Sequence, residues 1–333
     1  MNAAPRLARQ LKDFLLRQPV PTAPPFRLWV DITSRCNLAC PACPQRVLED
    51  GQRRDMPPDM LERLAGQVGA LGCEVNLFHR GEPLLRADLG AWIRRFRQGG
   101  ARLIRLHSNA TLLDTARVET LLADPPDLLT LSVDSLDPAA YAAARAGADL
   151  ARTLAGVETL LRARRAGRPP RITLLLMGAP AQGQEARGCL ERLRGLGLER
   201  VIRRQPHNWA GALEAGAAPA PGARRLAVCT FPWYGLAVLS DGRVTPCPQD
   251  FLGTISLGGA DRQDLLAIWQ GQAAQDLRRA QAGGCLEAYP ACLACDRIRR
   301  STLLGLPTEH LKNLLAESIV GSFRWRKPPP PGL

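Results

Sequence analysis

Ten cysteines occur in this 333-residue chain, and three of them crowd into R-C-N-L-A-C-P-A-C-P-Q at residues 35–45. Cys36, Cys40 and Cys43 are spaced C-x3-C-x2-C. A disulfide uses two thiols, and a closed tetrahedral zinc site uses four ligands, commonly supplied as C-x2-C pairs. Three thiolates on one short loop can each hold one iron of a [4Fe–4S] cube, leaving the fourth iron open to an external amine and carboxylate. The alternatives are a zinc site that borrows a fourth ligand from elsewhere and a chance cluster of buried thiols. Pro41 and Pro44 hold the loop extended and out of helix, which argues against chance. The C-x3-C step argues against zinc.

Cys229, Cys247, Cys292 and Cys295 make a second set, C-x17-C followed after a long gap by C-x2-C. Four thiolates brought together by a hairpin and a later loop can close a metal site, whether iron–sulfur or zinc ribbon. Cys285 reads as a free thiol, and Cys73 and Cys189 read as buried structural thiols. His79 and His107 fall at strand ends, where each could be a base or a satisfied structural histidine. The stretch R-R-Q-P-H-N-W-A-G (203–211), with Arg203, His207, Asn208 and Trp209, reads either as a substrate wall or as packing at a domain junction. No residue stands out as a catalytic acid or base.

The elements that must position these groups alternate regularly. Strand-length apolar runs at 26–32, 74–79, 102–107, 128–133, 171–177 and 199–204 alternate with helical patterns at 57–70, 88–98, from 114, across 138–165 and at 184–195. Such alternation predicts an α/β fold with a parallel sheet covered by helices. A full eight-unit barrel needs about 250 residues, so a partial, TIM-like (β/α)6 barrel is the expected form. The first cysteine loop directly follows the first strand, at the end of the sheet where βα loops converge. The chain divides into an amphipathic extension (1–25), the barrel (26–205), a smaller C-terminal domain (206–300), and a helix with a Pro-rich tail (301–333). The small-residue stretch 210–223 reads as a linker or long loop, Asp241-Gly242 as a hairpin turn, and 264–280 as a helix.

Composition bounds the rest. The net charge of +13 comes almost wholly from arginine, with lysine only at positions 12, 312 and 327, and aromatics make up 5% of the chain. Scattered arginines without neighbouring stacking rings describe solvated helix faces, so no nucleic-acid partner is expected. No apolar run is long enough to span a membrane and no secretory signal is present. The cysteines therefore point to metal ligation in a reducing cytoplasm.

C-x3-C-x2-C after the first strand resembles the signature of the radical S-adenosylmethionine (SAM) superfamily, and further strand ends agree. R-G-E-P at 80–83 resembles its G-G-E-P motif, H-S-N-A at 107–110 its T-N-G segment, and S-V-D at 132–134 its S-x-D motif. Arg80 stands in place of the first glycine, and Ala42 stands where many members carry an aromatic residue. The spacing Cys229…Gly242…Cys247 resembles the start of the SPASM/Twitch extension; with only Cys292-x2-Cys295 downstream, it looks like the one-cluster Twitch form. Among these enzymes the spacing is similar to that of 2-deoxy-scyllo-inosamine dehydrogenase.

The resemblance implies that Cys36, Cys40 and Cys43 ligate a SAM-binding [4Fe–4S] cluster, and that Cys229, Cys247, Cys292 and Cys295 ligate an auxiliary [4Fe–4S] cluster. It places Gly81 and Glu82 at the methionine amino group of SAM, Ser108 and Asn109 near the SAM, and Ser132 and Asp134 near its ribose or carboxylate. The activity implied is reductive cleavage of SAM to a 5′-deoxyadenosyl radical that takes hydrogen from a small polar metabolite, a sugar or aminocyclitol. The auxiliary cluster would accept the second electron, and a flavodoxin or ferredoxin would supply the first. Maturation of a ribosomally made peptide is the alternative, disfavoured by the short stretch before the first strand. A non-enzymatic zinc-binding module is a third reading, and redox-neutral epimerisation remains open within the enzyme class.

Overall fold

The structure, a computed structural model, describes residues 3–165, 167–177, 184–213, 227–299, 302–303 and 306–307. The sheet builds out from Arg27–Val30 (β1), which is buried along its whole length, as expected of a strand with neighbours on both edges and cover on its faces. From β1 the sheet runs through Glu74–Asn76 (β2), Ile104–Ser108 (β3), Leu128–Asp134 (β4), Arg171–Met177 (β5) and Arg200–Arg204 (β6). Consecutive strands pair in parallel throughout. The helices that cover it are Pro58–Leu71 (α2), Leu89–Gln98 (α3), Thr115–Ala123 (α4), Pro138–Ala144 (α5), Leu150–Ala163 (α6) and Gln184–Gly195 (α7), preceded by Ala3–Leu15 (α1). The expected α/β partial barrel is what forms.

Local chemistry sets the element ends. Asp114, Asp137 and Asp149 cap α4, α5 and α6, each side chain accepting a backbone N–H three residues on. Strand β2 is shorter than the apolar run at 74–79 suggests. Phe78, His79 and Arg80 leave the ladder and turn toward the interior cavity. In β3 and β4 alternate residues differ sharply in burial. Ile104, Leu106, Leu129, Leu131 and Val133 belong to the apolar core, while His107, Thr130 and Ser132 line the lumen. An open barrel thus keeps a cavity where a closed one packs side chains.

The C-terminal part continues the same sheet. Gly235–Val238 (β7) pairs in parallel with β1, register Arg27↔Gly235 to Val30↔Val238. The hairpin turn at Asp241-Gly242, with Gly242 at φ 88°, returns the chain into Arg243–Thr245 (β8), and Gly258–Gly259 (β9) completes the order β6-β5-β4-β3-β2-β1-β7-β8-β9. The helix expected at 264–280 is two, Leu265–Gln270 (α8) and Gln272–Gly283 (α9), separated at Gly271, whose backbone is extended. A short helix, Pro290–Ala294 (α10), leads to Cys295. The helix and tail expected beyond residue 300 lie outside the described residues, apart from the short antiparallel pair Thr302–Leu303 with Leu306–Pro307, and most of the 210–223 linker lies outside them too.

Helix α1 seals the base. Arg6 donates to Gly72 O and Pro25 O, Asp13 accepts from Thr22 Oγ1 at 3.0 Å and Ala23 N at 2.9 Å, and Phe14 packs edge-on against Trp233 at 5.5 Å. Trp269 Nε1 donates to Ala23 O at 3.0 Å, so α8 grips the same N-terminal segment.

Candidate functional site

A cavity of about 930 Å³ fills the barrel lumen, from the Arg27–Glu74–Arg105 cluster at the starts of the strands to the cysteine loop beyond their ends. That volume is at the upper end for ligand pockets. At its base Glu74 accepts from Arg27 at 2.7 Å and Arg105 at 3.1 Å. Burial alone would raise the Glu74 carboxyl, but Arg105 and Arg27 bring it below the usual carboxylate range.

At the mouth, all three cysteines of the first set are free, partly buried and on the cavity wall. Burial raises each thiol, Cys43 to about 11, with Cys40 and Cys36 adding to the rise at Cys43. The loop is held from two sides. A Cβ on Gly81 would run into the carbonyl oxygens of Thr33 and Arg35, and Glu82 N donates to Arg35 O at 2.8 Å. Gly81 thus lets the strand-two motif lie directly on the backbone entering the cysteine loop. The buried Glu82 carboxylate accepts from Leu84 N at 3.0 Å, Ser108 Oγ at 2.9 Å and Asn109 N at 2.7 Å. Burial pushes this carboxyl up despite its three donors. Asn109 Nδ2 in turn reaches Asn37 Oδ1 at 2.9 Å and Cys36 Sγ at 3.9 Å. Glu82, Ser108 and Asn109 are therefore one hydrogen-bonded assembly behind Cys36, with Gly81 packed against the loop backbone beside it.

Ser132 and Asp134 line the same cavity. Asp134 sits at φ 64° beside a register shift in β4, and its Oδ2 accepts from Arg145 Nε at 2.7 Å, while Oδ1 is buried without a partner. Arg145, which sequence reasoning missed, also donates to Cys40 and opposes the rise of that thiol. A single arginine at the end of a small-residue helix gives no sequence signal of this. The partners of Arg80, Asp31 and Ser240, were equally hidden. Arg80 Nε donates to the buried Asp31 Oδ2 at 2.7 Å and its Nη2 to Ser240 Oγ at 3.0 Å. Ser240 N also donates to Asp31, so the ends of β1, β2 and β7 are tied at one buried ion pair. His107 is stacked under Phe78 at 4.0 Å, and His79 meets Phe251 edge-on at 5.5 Å.

The second cysteines also converge. Burial raises all four thiols, Cys292 to about 12, and each further rise names its neighbours: Cys295 and Cys292 act on Cys229, Cys229 and Cys292 on Cys247, and Cys295 on Cys292. Cys285 is exposed and apart, donating to Gly283 O at 3.7 Å, and Cys73 and Cys189 are buried in the core. Among the described residues no three His, Cys, Asp or Glu side chains converge on a single ion. In a cube each thiolate meets its own iron, so such convergence is not required. Three free thiols on one loop lining a cavity, and four buried thiols near enough for their charges to act on one another, fit a cluster with an open iron and a fully ligated one.

The family model described as Radical SAM superfamily matches residues 30–193, and that described as Iron-sulfur cluster-binding domain, SPASM, matches residues 229–296. PqqA peptide cyclase of Xanthomonas campestris pv. campestris is 28% identical over 236 residues, 70% of this chain and 54% of the relative. A probable GTP 3′,8-cyclase of Methanothermobacter marburgensis is 30% identical over 138 residues, 40% of this chain and 44% of the relative. The chain thus spans about half the length of these curated relatives. Among solved structures, BtrN in complex with AdoMet and 2-DOIA has a TM-score of 0.57 at 20% identity, covering 82% of this chain and 94% of BtrN. Streptococcus suis SuiB bound to precursor peptide SuiA has a TM-score of 0.62 at 15% identity, covering 86% and 73%. These likenesses bear on fold. The two matched domains carry a SAM-binding [4Fe–4S] cluster, SAM and auxiliary iron–sulfur as cofactors. No helix among the described residues is long and apolar enough to cross a membrane.

Proposed function

We propose that this chain, which belongs to the radical SAM superfamily, oxidises a small hydroxyl-rich metabolite, a sugar or aminocyclitol, by two electrons inside the barrel cavity. The observation that carries the substrate class is a set of buried polar atoms without partners on residues lining that cavity: His79 Nε2, Arg80 Nη1, Gln249 Oε1 and Asp134 Oδ1. Such atoms are rare in folded proteins, and beside a cavity they suit a ligand that completes them. Asp31 already balances the Arg80 charge, and burial holds the His79 imidazole down to about 4, so it is neutral. This wall therefore offers hydrogen bonds with little net charge, which suits hydroxyl groups better than a phosphate or carboxylate.

When bound, the first cluster would supply the electron for reductive cleavage of SAM, and the second would accept the electron left on substrate. Cys36, Cys40 and Cys43 would hold the former, and Cys229, Cys247, Cys292 and Cys295 the latter. Gly81, Glu82, Ser108, Asn109, Ser132 and Asp134 would border SAM. Arg145 orients Asp134 beside Cys40. A flavodoxin or ferredoxin is the reductant we assign. Modification of a peptide is the second reading, favoured by the peptide substrates named in PqqA peptide cyclase and in the SuiB complex.

Iron and sulfide content of anaerobically reconstituted protein tests the assignment, with 5′-deoxyadenosine assayed after adding SAM and dithionite. Wild type is expected to hold about eight irons and a Cys36/Cys40/Cys43→Ala variant about four, with deoxyadenosine from wild type only. Four irons in wild type would remove the electron-acceptor role of the second site. Turnover of a precursor peptide in place of cyclitols would select the second reading.

A further inference from the structure

Two adjacent side chains in the stretch after β6 reach into both cysteine sites. Trp209 Nε1 donates to Ala42 O at 3.1 Å, between Cys40 and Cys43. Asn208 Nδ2 donates to Ala294 O at 2.8 Å, and its Oδ1 accepts from Asp296 N at 3.1 Å, on the two sides of Cys295. The turn carrying them is itself under constraint. Trp209, Ala210 and Gly211 have φ of 50°, 54° and 87°, a region that side-chain-bearing residues avoid. Gly211 lies so close to α10 that a Cβ there would come within 2.7 Å of the Ala294 Cβ. Phe251, four residues past Cys247, fixes the indole edge-on at 5.2 Å, and His207 meets it at 4.2 Å. Backbone in a disfavoured form persists only where its surroundings hold it, and here the holding contacts come from both sites.

We propose that Asn208 and Trp209 are positioning residues forming a clamp that makes the geometry of the SAM-side cysteine loop depend on the auxiliary cysteine loop. The inference rests on the two-cluster reading above. With the Cys292–Cys295 loop fixed by its cluster, Ala294 and Asp296 hold Asn208, the turn stays in its disfavoured form, and Trp209 pins Ala42. With that loop loosened, the turn relaxes toward ordinary backbone, the indole leaves Ala42, and the segment between Cys40 and Cys43 loses its brace. Because coupling is reciprocal, SAM binding in turn tightens the auxiliary loop.

The test is a double-mutant cycle on the reconstituted full chain, reading SAM affinity by equilibrium dialysis. Emptying the auxiliary site with Cys292→Ser/Cys295→Ser is expected to weaken SAM binding about tenfold. In a Trp209→Phe background, which keeps the ring but not the N–H donor, the same change is expected to cost less than about twofold. Equal losses in both backgrounds, or no loss in the parent, overturn the clamp. Should the double serine variant fail to fold, the spectrum of the reduced SAM-side cluster decides. A change in its electron paramagnetic resonance between wild type and Trp209→Phe, both fully loaded, supports the clamp, and identical spectra overturn it. A parent that holds no iron at the first site would instead sink the functional reading itself.

Discussion

Arg80 shows how a single residue can be visible in sequence while its meaning is not. It stands out at once because an arginine occupies a glycine position in R-G-E-P. Its partners Asp31 and Ser240 lie 49 and 160 residues away, beyond the reach of any local pattern. Arg80→Met would leave the Asp31 carboxylate buried without its counter-ion, costing about 3–5 kcal/mol, and adding Asp31→Asn should restore part of that. Urea denaturation of the two variants checks both. Cys36, Cys40 and Cys43 stand out for the opposite reason, since short spacing and proline flanks set them apart locally.

His79 gives a pH signature at the same scale. The unfolded chain takes up a proton there near pH 6.5 and the folded chain only at about 4, because burial dominates. A base with a depressed folded value gives stability that is whole above its unfolded value and lost as pH falls. Between pH 7 and 5.5 the loss amounts to about 1 kcal/mol. Urea midpoints at those two pH values should show that slope in wild type and lack it in His79→Gln.

Among the elements, strands and helices of the barrel could be read from periodicity because it is local. What escaped was the use to which an element is put. Helix α1 reads as an amphipathic extension, yet Leu7 and Phe14 are buried by it and Arg6 and Asp13 bond to backbone at the base of the barrel. Phe14→Ala should therefore destabilise the whole chain by about 3 kcal/mol, seen as a lower urea midpoint. A peripheral helix would give no such change. The split of α8 from α9 at Gly271 was missed because the apolar pattern runs on across a residue whose backbone has turned extended.

The whole molecule is organised by β1, the strand at which the barrel strands meet β7 in a sheet of nine. The Asp241-Gly242 turn announced a hairpin, but nothing in that stretch says that β7 will lie against residues 27–30. The consequence is that barrel and C-terminal part share one sheet and part of one core, with Leu236, Val238 and Val244 joined to the barrel residues. A chain ended at residue 205 should expose the outer edge of β1 and fail to stay soluble. Soluble yield and dye binding compared with the full chain measure this.

That sheet order also fixes a timetable for biogenesis. Arg27 waits for Gly235 before its strand has both neighbours. At about 5–20 residues per second of synthesis, the wait lasts on the order of 10–40 seconds. Throughout that interval the thiols at 36, 40 and 43 hang from a half-built strand, open to whatever delivers iron and sulfide and equally open to oxygen. The first site to emerge from the ribosome thus waits longest for its shelter, and the order of translation gives the cell a window for loading it.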